Sequence, residues 1–307
     1  MVFAIIFAGI GGCVQPMKAD FSDTSIAFAA RSDKELKNAR RLFRLIGNPM
    51  ITRIGRVLTM AALKLRLPIK GIIKRTIFRQ FCGGETVEEC TPVIEQLEKH
   101  NVGTILDYSV EGQENAHDFE ITTQKIIETL DKAHANRAIP FAVFKVTGIS
   151  RFSLLEKVND RNAELTEKER KEYADVVKRI DTICKHAHST GTPVFIDAED
   201  SWVQDAIDHI VHSMMVRYNR EKAIVFNTLQ LYRHDRLEFL KRSVEDARKN
   251  GYYYGAKLVR GAYMEKERER AREKGYQDPI QPDKASTDQD FNASLTVCLE
   301  NIEIVSF

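Results

Sequence analysis

From residue 103 onward, short apolar runs alternate with long charged segments of helical periodicity, and this alternation constrains the fold more than any other feature. Near-continuous apolar strands separated by helices are typical of a parallel sheet covered on both faces. The chain has neither a GxGxxG after the first run nor a GxxxxGK[ST] anywhere, which disfavours the dinucleotide-binding and P-loop folds. The sequence therefore predicts an α/β protein with a (β/α) barrel of the TIM type. The apolar runs are GTILDYS (103–109), IPFAVFKV (139–146), TPVFIDAE (192–199), AIVFNTLQLY (223–232), YGAKLVRGAY (254–263) and IEIVSF (302–307).

Polar side chains occupy the C-terminal ends of these runs, the edge at which a barrel of parallel strands carries its chemistry. On three runs, the side chains that share one face change from apolar to polar toward this edge, and the polar residues are Lys145 on the first, Asp197 and Glu199 on the second, and Gln230 on the third. Taken singly, these residues have ordinary explanations, such as a lysine paired with a carboxylate or an aspartate that caps a helix. Together they predict a polar site at one rim, formed by Asp107, Glu111, Lys145, Asp197, Glu199, Gln230 and Arg260.

A basic segment precedes the alternating region. Residues 31–80 carry 14 lysines and arginines against two acidic residues, although the net charge of the whole chain is only +2. The same segment places apolar residues at helical spacing, among them Leu42, Leu45, Ile54 and Leu58. A basic amphipathic helix can bind an anionic membrane surface. The alternative, that this arm packs against the acidic remainder of its own chain, stays open.

The first sixteen residues resemble a short apolar leader, but no lysine or arginine precedes the apolar run as a signal peptide requires. We favour Met17 as the start of the protein. The five cysteines are scattered and form no CxxC pair, so we expect reduced thiols and neither a disulfide framework nor a metal site. No apolar run is long enough for a transmembrane helix. These features predict a cytoplasmic protein, with peripheral attachment to the inner face of the membrane as an option.

The motif LVRGAY at residues 258–263, together with IDAED, NTLQLY and LDYSVEG in matching order, resembles the proline dehydrogenase family. The resemblance is to its monofunctional, FAD-dependent members and extends from about residue 80 to the end of the sequence. It implies a distorted (β/α)8 barrel with FAD at its C-terminal mouth. It also implies oxidation of L-proline to Δ1-pyrroline-5-carboxylate by hydride transfer to FAD, with a quinone at the membrane surface as the final acceptor.

The resemblance assigns roles to the residues expected to react or to bind substrate. Asp197 matches the active-site aspartate of the family, and Lys257 stands where many relatives place an arginine near flavin N5, so these two are the expected catalytic residues. Lys145 matches the strand lysine that meets the substrate carboxylate. Tyr263 matches a tyrosine that lines the substrate pocket, and Glu111 matches an acidic residue of the lid over the site.

A second set is implied to bind the cofactor. The backbone of Ala198 and the side chain of Gln230 would contact the isoalloxazine ring, and Arg260, Gly261 and Ala262 would run along the FAD. A cation close to the ring makes the flavin a better acceptor of negative charge. A cationic site also helps the substrate amine to release its proton, which hydride transfer requires.

The predicted organisation has three parts. Residues 1–16 are a doubtful leader or mis-start, residues 17–100 an N-terminal helical arm, and residues 101–307 a partial barrel that binds FAD and proline. About six of eight βα units are present, so we expect a C-terminally truncated proline dehydrogenase whose activity as an isolated chain is doubtful. The oligomeric state is left open.

Two other functions remain open. A Schiff-base barrel lyase or aldolase would use Lys145 or Lys257 as its nucleophile, which requires a desolvated lysine with a lowered pKa. A non-catalytic, membrane-associated protein would be organised around the basic arm. Nucleic-acid binding is disfavoured, because the arm interleaves its cations with aliphatic rather than aromatic side chains.

Overall fold

The structure is a computed structural model that describes residues 2–8, 22–108, 114–160 and 162–307. The chain divides into two compact units, Met1–Thr104 and Ile105–Phe307. In the described residues, the first unit has few buried side chains, whereas the second contains a large apolar core.

The first unit is mainly helical. Its elements are strand β1 (Val2–Ala8) and helices α1 (Thr24–Ala27), α2 (Asp33–Ile46), α3 (Pro49–Lys64), α4 (Lys70–Ile73), α5 (Arg79–Phe81) and α6 (Val87–Glu98), with a π-helical turn at Lys74–Phe78 between α4 and α5. The longer helices begin at residues suited to that role. Ser32 caps α2 in a capping box with Glu35, Pro49 occupies the first position of α3, and Thr86 caps α6.

Large apolar side chains are exposed along α2 and α3. Met50, Ile54 and Leu58 of α3 are 72%, 53% and 64% exposed, and α2 contains no buried residue. From residue 36 to residue 84 the sequence holds twelve lysines and arginines and no acidic residue. This part of the chain therefore combines exposed apolar groups with a one-signed charge. Among the described residues, no helix is both long enough and apolar enough to span a bilayer.

Strands and helices alternate in the second unit. The strands are β2 (Val102–Tyr108), β3 (Phe141–Phe144), β4 (Val194–Ile196), β5 (Val225–Gln230), β6 (Tyr254–Val259) and β7 (Val305–Ser306). The helices are α7 (Ala116–Ala135), α8 (Phe152–Asn159), α9 (Glu167–Thr190), α10 (Ser201–Tyr218), α11 (Arg236–Asn250), α12 (Met264–Lys274) and α13 (Lys284–Glu300). Gly191 and Gly251 end α9 and α11 in the left-handed conformation, which glycine adopts without a Cβ penalty.

Strands β2 to β7 form a parallel sheet in which neighbours in sequence are neighbours in space. Helices connect successive strands, as parallel pairing requires. The predicted α/β class is confirmed, and the six strands found among residues 102–306 that the structure describes correspond to the six apolar runs. The last run is only partly strand, because β7 is limited to Val305–Ser306 and Ile302 lies in a turn, 62% exposed.

Three phenylalanine rings pack together on one face of this sheet. Phe141 stacks on Phe195 with ring centroids 4.4 Å apart, and Phe226 meets both rings edge-on at 5.5 and 5.3 Å. Gly255 makes room for them, because a Cβ at that position would lie 2.7 Å from Phe226 Cγ. Each aromatic pair of this geometry contributes roughly 0.5–1.5 kcal/mol beyond its area burial. We call this cluster the aromatic floor, since polar side chains follow two residues later on the same face of β4 and β5.

A buried ion pair lies on the other face, between α10 and α11. Asp208 Oδ2 accepts from Arg236 Nη1 at 2.7 Å, and each side chain is only 7% exposed. Asp208 Oδ1 accepts from Gln204 Nε2 and from Asn227 Nδ2, each at 2.9 Å. Gln204 Oε1 in turn accepts the backbone N–H of Glu199 at 2.7 Å. This outer network connects two helices and β5 to the segment that follows β4.

Candidate active site

An ion pair joins the C-terminal ends of β4 and β6. Lys257 Nζ donates to Asp197 Oδ1 at 2.6 Å, and the side chains are only 14% and 15% exposed. Thr228 on β5 donates to the same oxygen at 3.3 Å. The Lys257 ammonium also lies 5.2 Å from the ring centroid of Phe195, within range of a cation–π interaction. The structure thus brings together the two residues predicted to be catalytic, directly above the aromatic floor.

A second carboxyl group, that of Asp107 at the end of β2, is more deeply buried. The residue is 5% exposed, and no described residue donates a hydrogen bond to its Oδ1. Burial raises the pKa of Asp107 to about 7, and the negative charge of Asp197 adds to this effect. The positive charges of Lys145 and Lys257 oppose it. Asp107 therefore changes its protonation state near neutral pH.

Lys145 follows β3 and acts on several groups of the rim. Its side chain is half-buried, and its positive charge lowers the pKa values of Asp107 and Glu199 against the larger effect of burial. Burial likewise raises the pKa of Tyr263, which the charge of Lys145 and a hydrogen bond to it oppose. Two predicted substrate-binding residues, Lys145 and Tyr263, thus lie close to each other and to the buried carboxyl groups.

Gln230 bridges two segments at the rim. Its Nε2 donates to the carbonyl oxygen of Glu199 at 2.7 Å, and its Oε1 accepts from the backbone N–H of Ala262 at 3.4 Å. Glu199 is itself buried, and its carboxyl group accepts from the backbone N–H and the hydroxyl of Thr147 at 3.0 and 2.5 Å. Burial raises the pKa of Glu199 to about 7, although both hydrogen bonds lower it. Ala198, 8% exposed, lies just before this bridge.

The segment after β6 is exposed and runs from Arg260 to Ala262. Arg260 Nε donates to Asp288 Oδ1 at 2.6 Å, and the guanidinium lies 4.4 Å from the ring centroid of Phe291. Gly261 has a φ of +134°, and a Cβ there would lie 2.4 Å from the ring of Tyr232. Only glycine fits this turn, so LVRGAY needs its glycine for the backbone as well as for any ligand.

Some site residues lie beyond the sequence prediction, and one lies outside the described residues. Thr147 and Thr228 contact the predicted residues but were given no role. Thr228 lies two residues from Phe226 on the same face of β5, a spacing that could have identified it, whereas Thr147 lies in the 3₁₀ turn Val146–Gly148, where strand alternation does not apply. The position of Glu111 falls outside the described residues. Across the part of the chain that the structure describes, no three His, Cys, Asp or Glu side chains form a cluster that could hold a metal ion.

Comparison with known proteins identifies a family and several relatives. A family model described as proline dehydrogenase matches residues 90–307. "Proline dehydrogenase 1, mitochondrial" of Dictyostelium discoideum is 33% identical over 279 residues, which cover 78% of this chain and 49% of that protein. The hydroxyproline dehydrogenase of Xenopus laevis is 26% identical over 314 residues, which cover 92% of this chain and 67% of the relative. The chain therefore spans about half the length of the Dictyostelium relative.

The fold also has a counterpart among solved structures. Proline utilization A of Bdellovibrio bacteriovorus, inactivated by N-propargylglycine, superimposes with a TM-score of 0.66 at 18% sequence identity, over 95% of this chain and 32% of that one. At this identity the similarity concerns the fold alone. It agrees with the α/β barrel type that the apolar runs predicted.

Proposed function

The chain belongs to the proline dehydrogenase family, and we propose that it oxidises L-proline to Δ1-pyrroline-5-carboxylate in proline catabolism, with FAD as the hydride acceptor. The observation that carries this proposal is the partly buried ion pair of Lys257 with Asp197. Both residues stand at positions that the resemblance assigns to the chemistry. An ion pair placed at the rim, rather than in the apolar core, is available to a ligand.

The groups at the rim suit FAD. Lys257 supplies a cation, which stabilises the negative charge that the isoalloxazine ring gains on reduction. Gln230 supplies an amide held between Glu199 and Ala262. The exposed backbone at Gly261 carries no side chain, so an extended ligand could approach it closely. FAD would supply the two-electron oxidant, held by Lys257, Gln230 and the backbone of Ala198, with Arg260 to Ala262 along its length.

The substrate would lie against the remaining polar groups. Lys145 would pair with the carboxylate of proline, and Tyr263 would line the pocket. Asp197 would hold the Lys257 ammonium in place through their hydrogen bond. The two lysines disfavour a protonated amine in the site. This effect promotes the reaction, because hydride can leave the carbon beside the ring nitrogen only when the nitrogen has a free lone pair. A lid role for Glu111 is part of the same proposal.

The arm at residues 17–100 would hold the protein at an anionic membrane surface, where a quinone accepts the electrons, while residues 101–307 bind FAD and proline. Exposed Met50, Ile54 and Leu58, together with twelve cations and no acidic residue between 36 and 84, support this proposal. The Dictyostelium relative is named mitochondrial, and the predicted cytoplasmic location is not confirmed.

The two alternative functions have less support. A Schiff-base mechanism needs a lysine amine that is free to attack the substrate, whereas Lys257 Nζ is hydrogen-bonded to Asp197 at 2.6 Å. The matched family and relatives support neither a lysine-dependent lyase nor a non-catalytic membrane protein.

The test is a visible absorption spectrum of the purified chain, reconstituted with FAD, before and after anaerobic addition of L-proline or 4-hydroxyproline. We expect flavin bands that bleach with one of these substrates. Lys257→Met should abolish bleaching, while the matched control Lys241→Met, on the exposed face of α11, should leave it intact. A chain that binds FAD but is not reduced by either substrate would contradict the proposal.

A further inference from the structure

We propose that Asp107 is the base that takes the proton from the ring nitrogen of the substrate before hydride transfer. This inference rests on the proposed function and assigns a catalytic role to a residue that had none. It starts from a contrast between two carboxyl groups at the same rim. Asp197 is engaged by Lys257 and Thr228, whereas Asp107 Oδ1 is buried without a donor among the described residues.

The register of the sheet places Asp107 on the face that carries the site. Asp107 is level with Val143 of β3, which is level with Phe195 of β4, which is level with Phe226 of β5. Because side chains in register on parallel strands point to the same face, the carboxyl group of Asp107 shares the face of the aromatic floor. It therefore lies at the boundary between the phenylalanine rings and the polar layer formed by Asp197 and its neighbours.

The charges around Asp107 prepare it for this role. Lys145 after β3 and Lys257 on β6 face it with positive charge, and Asp197 after β4 faces it with negative charge. With both aspartates ionised, the four groups sum to zero. A protonated substrate amine adds one positive charge to the site. Transfer of its proton to Asp107 leaves a neutral amine and a neutral carboxylic acid. The pKa of Asp107, raised to about 7, also makes its carboxylate a stronger base than that of an ordinary aspartate. Two titratable groups whose surroundings differ in this way are the usual mark of divided acid–base roles.

The proposed step balances in atoms and electrons. The ring nitrogen of proline begins with two protons and passes one to the Asp107 carboxylate, which becomes a carboxylic acid. The nitrogen lone pair that is released would form the C=N bond as hydride leaves the adjacent carbon, and bound FAD would supply the two-electron oxidant that accepts the hydride. The iminium product loses its remaining N–H proton to solvent to give the neutral imine. Asp107 returns its proton to solvent after the product leaves.

The first test compares flavin reduction by proline in wild type and Asp107→Asn over pH 6 to 10, by anaerobic stopped-flow absorbance. Without the base, only substrate that is already neutral can react. We therefore expect the variant to be slower by about 10²-fold near pH 7, with the difference shrinking toward pH 10 where the amine deprotonates by itself. Asp107→Glu, which keeps a carboxylate, should recover part of the rate. Asp205→Asn on the exposed face of α10 serves as the matched control and should be unchanged.

Several outcomes would overturn the assignment. An Asp107→Asn rate within threefold of wild type at pH 7, or a loss equal at every pH, would show that the residue is at most structural. If the variant does not fold, ¹³C NMR of the aspartate carboxyl groups in wild type tests the proposal instead. We expect one carboxyl resonance that titrates between pH 6 and 8 and broadens when proline binds. Titration of every aspartate below pH 5 would reject Asp107 as the base. If wild type itself is not reduced by proline, the proposed function fails first, and the role of Asp107 with it.

Discussion

Two carboxylate–cation pairs lie on opposite faces of the same sheet, and they differ in how many of their carboxylate oxygens accept hydrogen bonds. In the outer network, both oxygens of Asp208 accept hydrogen bonds, from three donors in all. At the rim, Asp197 uses Oδ1 for both Lys257 and Thr228, and no described residue donates to its Oδ2. The neighbouring Asp107 has no donor among the described residues for its buried oxygen.

The difference separates what the fold needs from what a ligand needs. A charge withdrawn from water is costly unless its partners replace the lost hydration, and in the outer network both carboxylate oxygens of Asp208 have donors. At the rim, carboxylate oxygens of Asp107 and Asp197 have no donor among the described residues, which lowers the stability of the fold. Such incomplete pairing persists where a ligand makes use of it, which is why stability and activity are expected to respond in opposite ways at the two faces.

The largest expected effect is on the outer network. Asp208→Ala removes the carboxylate that pairs with Arg236 Nη1 and leaves the buried guanidinium with Asp235 as its carboxylate partner among the described residues. Removing one partner of a buried pair typically costs about 3–5 kcal/mol. We expect loss of the folded state or a large drop in the urea midpoint of unfolding, measured by circular dichroism. Asp205→Ala, an exposed carboxylate on the same helix, is the matched control and should change stability little. A drop in the Asp208 variant no larger than in this control would break the comparison.

Asp107→Asn should act in the opposite direction and depend on pH. The pKa of about 7 in the folded protein lies above the ordinary value of 3.8, so folding favours the protonated form. Stability from this group is therefore fully present below pH 4 and is lost as the pH rises to 7. Asparagine does not ionise, and the variant should gain roughly 1–3 kcal/mol over wild type at pH 8 and little at pH 4. Urea titrations from pH 4 to 8 measure this gain; a gain of equal size at every pH would contradict the explanation.

Asp197→Asn should have a small effect on stability and a large one on chemistry. Its side chain is 15% exposed and the described residues donate only to its Oδ1, so we expect a loss of about 1 kcal/mol or less. Flavin reduction by proline should fall by about 10²-fold or more, since Lys257 loses the group that holds it. Thermal unfolding and anaerobic flavin reduction on the same sample test the pair of statements. A loss of stability comparable to that of Asp208→Ala would remove the distinction between the faces.

Lys257→Arg should have the smallest effect. Arginine keeps the positive charge and can pair with Asp197 through a planar fork. We expect stability within about 0.5 kcal/mol of wild type and flavin reduction within about tenfold, in contrast to Lys257→Met. If arginine abolished reduction as completely as methionine, the role of residue 257 would depend on the lysine amine itself, and the Schiff-base alternative would regain support.

The sequence was sufficient to predict the strands and helices and the polar residues of the rim, because both follow from local patterns. Each apolar run contains a strand, and Lys145, Asp197 and Gln230 lie at the strand ends as alternation predicted. Strand lengths were less accurate: β4 covers only Val194–Ile196 of its eight-residue run. The run contains Pro193, which cannot donate a backbone hydrogen bond, and its last residues turn into the loop that holds Glu199.

Contacts between distant residues could not be predicted in the same way. Lys257 and Asp197 are 60 positions apart, and which cation meets which carboxylate depends on strand order and register. The outer network was missed for the same reason, since Asp208, Asn227 and Arg236 each resemble an ordinary polar residue of a helix or strand. That Asp107 Oδ1 has no donor among the described residues could also be learned only from the structure, because a strand-end aspartate looks the same in sequence whether or not it has a donor.

The aromatic floor has a consequence for how a catalytic cycle would end. Phe141, Phe195 and Phe226 offer no group that could relay a proton toward the base of their strands. We therefore expect a proton taken up by Asp107 to leave toward the polar rim, the side from which the substrate would enter. Asp107 would then release its proton only after the product has left the pocket, so that product departure and proton release would be coupled.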